Sequence, residues 1–153
     1  MQSQLIKQFL VSACFLAPAL ASADNMRVSA IVVGSCVFAS EDALLDFGGL
    51  IPGQGDKTQN INVKFSCTKG MPYKVDLGQG QNFYKGDAAG RKMAALNGAD
   101  FLPYDLVSDR LSGDGQGEGV MISLQLTGKV RGQDYSRITV GDYADMVLLT
   151  VSP

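Results

Sequence analysis

From residue 60 to residue 67 the chain alternates, with Ile61, Val63, Phe65 and Cys67 on one face of an extended backbone and Asn60, Asn62, Lys64 and Ser66 on the other. This period of two marks a half-buried strand. Residues 73–77 (Y-K-V-D-L) repeat it, residues 120–126 (V-M-I-S-L-Q-L) align Val120, Ile122, Leu124 and Leu126, and residues 143–151 align Tyr143, Asp145, Val147, Leu149 and Val151. Residues 26–33 alternate at first and then turn wholly apolar. Between these runs lie Gly48-Gly49, Gly53-Gln54-Gly55, Lys69-Gly70-Met71-Pro72, Gly78-Gln79-Gly80, the glycines at 113, 115, 117 and 119, and Val140-Gly141-Asp142, all turn or loop chemistry. No segment carries a convincing 3.6-residue apolar stripe. Residues 91–97 fit one helical turn or a short strand. The spacing predicts half-buried antiparallel strands packed as a sandwich or barrel, and a chain of 153 residues is one domain.

The amino terminus follows another rule. A short polar stretch ending in Lys7, an apolar run from Phe9 to Leu20 broken by Pro18, and the small-residue site Ala21-Ser22-Ala23 read as a secretory signal peptide over residues 1–23, cleaved before Asp24. The apolar run falls well short of the roughly 20 residues of a membrane span. A lipoprotein box at Val11-Ser12-Ala13-Cys14 is disfavoured, because the apolar run continues past Cys14. No second run of membrane length follows, so the processed product is expected to be exported and soluble, with no membrane span.

Cleavage removes Cys14 and leaves Cys36 and Cys67 as an even pair in a compartment that permits disulfides. We read them as bonded. Closing a loop of about 31 residues stabilises by roughly 3 to 4 kcal/mol on the chain-entropy account.

Composition narrows function by exclusion. With 13 Lys+Arg against 15 Asp+Glu the chain has no broad cationic surface, so nucleic acid is not an expected partner. The absence of His removes the Ser-His and Cys-His nucleophile pairs and His-ligated zinc. Asp142 with Asp145, or Asp105 with Asp109, is the remaining route to acid-base catalysis, but Asp142 suits the turn after Gly141. No catalytic residue, metal site or cofactor is expected. The glycine run over 113–119 with Asp114 and Glu118 lacks calcium-loop spacing and reads as a flexible hairpin loop. Gly78-Gln79-Gly80 lacks the third glycine and the helix of a nucleotide site. Tyr104 and Tyr143 read as core residues with a hydroxyl in need of a partner.

Several segments stand in a recognisable order: Gly34-Ser35-Cys36, Leu45-Asp46-Phe47-Gly48, Val63-Lys64-Phe65-Ser66-Cys67-Thr68-Lys69-Gly70, Arg91-Lys92-Met93, Leu102-Pro103-Tyr104-Asp105-Leu106, and Val140-Gly141-Asp142-Tyr143-Ala144-Asp145-Met146-Val147. Together, and behind a signal peptide, they resemble the spore coat protein U family, which includes the Csu-type archaic chaperone-usher pilins of Gram-negative bacteria. The resemblance spans essentially all of residues 24–153. It places an acidic residue on the last strand for structural hydrogen bonding, here Asp145. No role beyond packing and a charge pair suggests itself for Arg91 and Met93.

The resemblance implies an all-β, immunoglobulin-like antiparallel β-sandwich that lacks its last strand and is completed by a donor strand. It implies a structural subunit of a surface pilus or fimbria, serving adhesion and biofilm formation. The implied partners are a periplasmic pilus chaperone, which fills the groove first, an outer-membrane usher, and neighbouring pilin subunits, whose amino-terminal segments replace the chaperone strand. Residues 24–35 are then the donor segment and residues 36–153 the pilin domain. Met26, Val28, Ala30 and Val32 form the donor face, and ten extended residues span about 33 Å, enough for one strand. Val147, Leu149 and Val151 partly line the acceptor groove, since nothing after Pro153 in this sequence supplies a further strand. The alternative makes residues 26–33 an internal edge strand of a complete sandwich, and the protein a self-standing secreted coat or matrix protein.

Overall fold

The alternating segments pair with one another. In the computed structural model, which describes residues 26–83, 90–98 and 100–153, β2 (Lys57–Cys67) lies antiparallel to β7 (Ile122–Val130), with Phe65 opposite Ile122 and Lys57 opposite Val130. Both strands turn alternate residues inward, odd positions in β2 and even ones in β7. Val63, Phe65 and Cys67 of β2 and Ile122, Leu124, Leu126 and Val130 of β7 are buried, while Asn62, Lys64, Ser123 and Gln125 face solvent, as a sheet with one wet face requires. The expected signal peptide, residues 1–23, lies outside the described residues.

Short strands extend this pair on both sides. β1 (Cys36–Phe38) joins β2, and β5 (Phe101–Ser108) joins β7, followed by β4 (Arg91–Ala95) and β8 (Tyr143–Ala144), giving the order β1-β2-β7-β5-β4-β8. A second sheet runs β6 (Ser112–Asp114), β3 (Pro72–Leu77), β9 (Leu149–Ser152), all antiparallel. Four residues, Gly132–Tyr135, form the helix α1. The protein is thus an all-β antiparallel sandwich with one disulfide. Cys36 and Cys67 stand opposite each other in the β1–β2 register and are bonded, with S–S at 2.04 Å.

Three expectations need correcting. Residues 143–151 are not one strand: β8 pairs with β4 in the large sheet, β9 pairs with β3 in the small one, and residues 145–148 cross between them. Period-two patterning reports a face and is blind to such a change of sheet. Residues 26–33 form no strand, and Met26, Val28 and Val32 are 86, 81 and 84% exposed. Residues 113–119 are only in part a loop, since β6 takes in 113 and 114. Gly113 pairs with Tyr73 in the β6–β3 ladder, and the Gly70 and Gly115 amides donate to the Gly115 and Met71 carbonyls, both at 2.8 Å. Gly115 lies so close to the Thr68 and Cys67 carbonyls that a β-carbon there would overlap them.

The interior is divided. One cluster joins the two sheets through Val63, Phe65, Tyr73, Val75, Ile122, Leu124 and Leu126, with Phe65 and Tyr73 edge-to-face at 5.1 Å. A second gathers Phe47, Leu102, Tyr104, Val130 and Tyr135.

Candidate functional site

Between the two core clusters lies an open cleft of about 1380 Å³. Its floor is the inner face of the large sheet, where Ile61, Val63 and Leu126 come from the first cluster, Leu102 and Tyr104 from the second, and Leu106 packs against both. A compact domain of this size ordinarily has one contiguous core. Here the place where the two parts would meet is left open.

Two stretches of irregular backbone flank it. One is the run after β1, residues 40–50, which joins no ladder among the described residues. Leu45 and Phe47 of this run occupy the space that a side chain at Gly128 would fill, so a glycine in the middle of β7 makes room for the wall. The base of the run is tied down where the Tyr135 hydroxyl meets the Gln54 and Gly55 carbonyls at 2.6 Å and Asp56 accepts from the Gly132 amide at 3.0 Å and from Lys129 Nζ at 2.7 Å. The other stretch is the crossing segment 145–148. Both rims expose apolar side chains: Leu44 is 80%, Met146 68% and Leu148 74% exposed. Apolar surface flanked by unladdered backbone is the profile of a sheet that accepts a strand.

One end of the cleft is polar. Asp145 accepts the Tyr104 hydroxyl at 2.6 Å on Oδ2, and the Gln81 amide at 2.9 Å and Asn82 Nδ2 at 3.2 Å on Oδ1. Burial, the bond to Asp145 and its negative charge hold the Tyr104 hydroxyl far above the usual phenol range, with the Arg91 guanidinium opposing. Such a carboxylate holds structure together and is poorly placed for proton transfer. Asp105 is likewise engaged by Arg131 at 3.0 Å, and Asp109 accepts the Gln125 amide at 3.0 Å. No group of three acidic or cysteine side chains among the described residues is placed to hold a metal ion.

The expected groove residues separate. Val147 and Leu149 line the cleft, whereas Val151 packs against the first core cluster. Leu45, Leu102, Tyr104 and Leu106, which line the cleft as well, were legible only as parts of motifs. Neither the run over 40–50 nor β5 carries an uninterrupted alternation.

The Spore Coat Protein U domain matches residues 22–150. The chain belongs to this family. No curated protein matches it. Among solved structures, it is similar to a chain of the CsuC-CsuE chaperone-tip adhesion subunit pre-assembly complex from archaic chaperone-usher Csu pili of Acinetobacter baumannii, with 22% identity, a TM-score of 0.48, and 78% of this chain and 40% of that chain covered. It is also similar to a chain of a chaperone-tip adhesin complex of CFA/I fimbriae biogenesis, with 16% identity, a TM-score of 0.45, and 78% and 41% covered. This spore coat protein U chain therefore spans well under half the length of either. In the family member described here, no helix among the described residues is long and apolar enough to cross a membrane.

Proposed function

We propose that the protein is a subunit of a surface pilus, built by the chaperone-usher route through donor-strand exchange and serving adhesion and biofilm formation. The observation that carries this reading is the apolar cleft dividing the core, flanked by residues 40–50 and 145–148. A strand laid there would join the two core clusters, cover Leu44, Met146 and Leu148, and find unladdered backbone beside it, which is β-augmentation used as a joint. Family membership supports the same reading.

The donor in this proposal is the segment 24–35 of a neighbouring subunit, inserting Met26, Val28, Ala30 and Val32 into the cleft, and the acceptor wall includes Val147 and Leu149 with Val151 behind them. The pilin domain is residues 36–153. Residues 1–23 are the signal peptide, so assembly runs through the periplasm to the cell surface. A periplasmic chaperone first covers the cleft, because an exposed apolar groove aggregates, and an outer-membrane usher joins the subunits. The protein is not an enzyme in this reading, a view favoured by the hydrogen bonds that occupy Asp145. The alternative reading is a self-standing coat or matrix protein that uses residues 26–33 as an internal edge strand.

The test is a thermal melt of the oxidised, exported protein with and without a synthetic peptide of residues 24–34. A ligand at a hundred times its Kd stabilises by about 2.7 kcal/mol, or roughly 5 to 10 °C for a domain of this size. A stable monomer indifferent to the peptide would favour the coat-protein reading instead.

A further inference from the structure

Arg91 opens β4 opposite Tyr104 of β5, and its half-buried side chain leaves the large sheet to reach the small one. Nε donates to the Gly78 carbonyl at 2.9 Å, Nη2 to the Leu77 carbonyl at 2.9 Å, and Nη1 to the Leu106 carbonyl at 3.2 Å. Leu77 ends β3 in the small sheet and Gly78 follows it directly, whereas Leu106 belongs to β5 in the large one. One guanidinium therefore bonds both layers, and all three carbonyls belong to residues that line the cleft.

A second set of bonds runs alongside. The Tyr104 hydroxyl reaches Asp145 on the crossing segment, Asp145 holds the Gln81 amide, and the Gly78 amide donates to the Leu148 carbonyl at 2.8 Å. The fit is close. A β-carbon on Gly78 would stand 3.0 Å from the Leu148 oxygen, and one on Gly80, whose φ is +86°, would overlap the Asp145 carboxylate.

The physical problem these bonds address is collapse. Packed sheets are kept about 10 Å apart by the side chains between them. Where a strand is missing, those side chains are missing too, and the hydrophobic effect draws the two apolar walls together. A guanidinium held between the layers by hydrogen bonds to both opposes that closure through its own bulk, the bonds fixing where it sits. A guanidinium suits the task because its planar fork presents five donors in fixed directions.

The geometry points to Arg91 as a positioning residue that, with the Tyr104–Asp145 pair, holds the two sheets apart at one end of the open cleft and so keeps the strand-accepting groove preformed. It acts through the carbonyls of Leu77, Gly78 and Leu106. The inference rests on the strand-acceptor reading above. Preformation lowers the cost of ordering at the moment of binding and raises the association rate, which falls when binding must wait for a conformational change.

The test uses the full chain, exported and oxidised, with Val28→Asp present throughout so that one molecule's amino-terminal segment does not fill another's cleft. Arg91→Met and Arg91→Lys are compared with this parent by the association and dissociation rates of the 24–34 peptide, and by amide exchange at Gly78, Gln81, Phe65 and Leu124. R91M is expected to slow association about tenfold or more, and to lose protection at Gly78 and Gln81 while Phe65 and Leu124 keep theirs. R91K, with three donors on a compact head, is expected to recover part of both. Unchanged association with unchanged protection at Gly78 and Gln81 would overturn the inference, and so would a uniform loss at all four amides, which would mean general destabilisation. Should R91M fail to fold, R91K and Asp145→Asn supply the same comparison. A parent that binds no peptide would sink the strand-acceptor reading, while the exchange pattern would still decide whether Arg91 holds the layers.

Discussion

At the scale of single residues, the polar side chains in this protein act mainly as ties between segments that no ladder joins. Asp100 accepts the Thr139 amide at 2.8 Å and fastens the β4–β5 turn to residues 136–141. Its hydrogen bonds to Thr139 hold its carboxyl below the ordinary 3.8. A depressed folded pKa gives stability that is complete above the unfolded value and is lost as pH falls through the folded one. Unfolding midpoints should therefore fall below about pH 4, where unfolded carboxyls begin to bind protons. Asp100→Asn should flatten that acid limb in part, because Asp56, lowered chiefly by its hydrogen bond to Lys129, titrates there as well. An acid limb identical in the variant and the parent would show that the Thr139 contact carries no weight. Arg91 and Asp145 belong to the same class of tie. Both were legible as members of motifs, but not their partners, because Leu77, Gly78 and Leu106 enter through main-chain carbonyls that have no sequence signature.

Among the elements, strands with clean alternation came through the sequence well. β2, β3 and the core of β7 each bury alternate residues, as their patterns imply. β5 was harder to read. Pro103 lacks an amide for the ladder, and the expectation there rested on a motif alone. The disulfide joins β1 to β2 just ahead of the wall over residues 40–50. Since β1 has only three residues and one strand neighbour, the covalent link reinforces a short ladder. Replacing Cys36 and Cys67 by Ala should lower stability by about 3 to 4 kcal/mol, read from urea midpoints, and expose the amides of Val37 and Phe38 to exchange first. A loss below about 1 kcal/mol would mean that the unfolded chain is already constrained in this region.

For the whole molecule, the divided core sets the behaviour. A chain that carries both an open apolar cleft and, over residues 26–33, an exposed alternating segment should associate with itself, and its apparent stability should rise with its concentration. Val28→Asp puts a charge on the donor face, where burial without a partner is costly. The variant should form no polymers at concentrations where the parent does, as read by light scattering and electron microscopy, while its monomer melts within about 1 °C of the parent's because an exposed substitution changes stability little. Normal fibres from V28D would remove residues 24–35 from the donor role.

The sequence by itself determined the strand faces, the all-β class, the cysteine pair and, through the order of its motifs, the family. Those properties are local or compositional: alternation, turn residues and cysteine parity are written along the chain. Only the tertiary structure decided that residues 143–151 divide between two sheets, that residues 26–33 form no strand, that glycines 113 and 115 serve close backbone approach, and that Arg91 joins the two layers. Each of these depends on which distant segments meet, and a period-two pattern fixes the face of a strand without naming the neighbour on either edge.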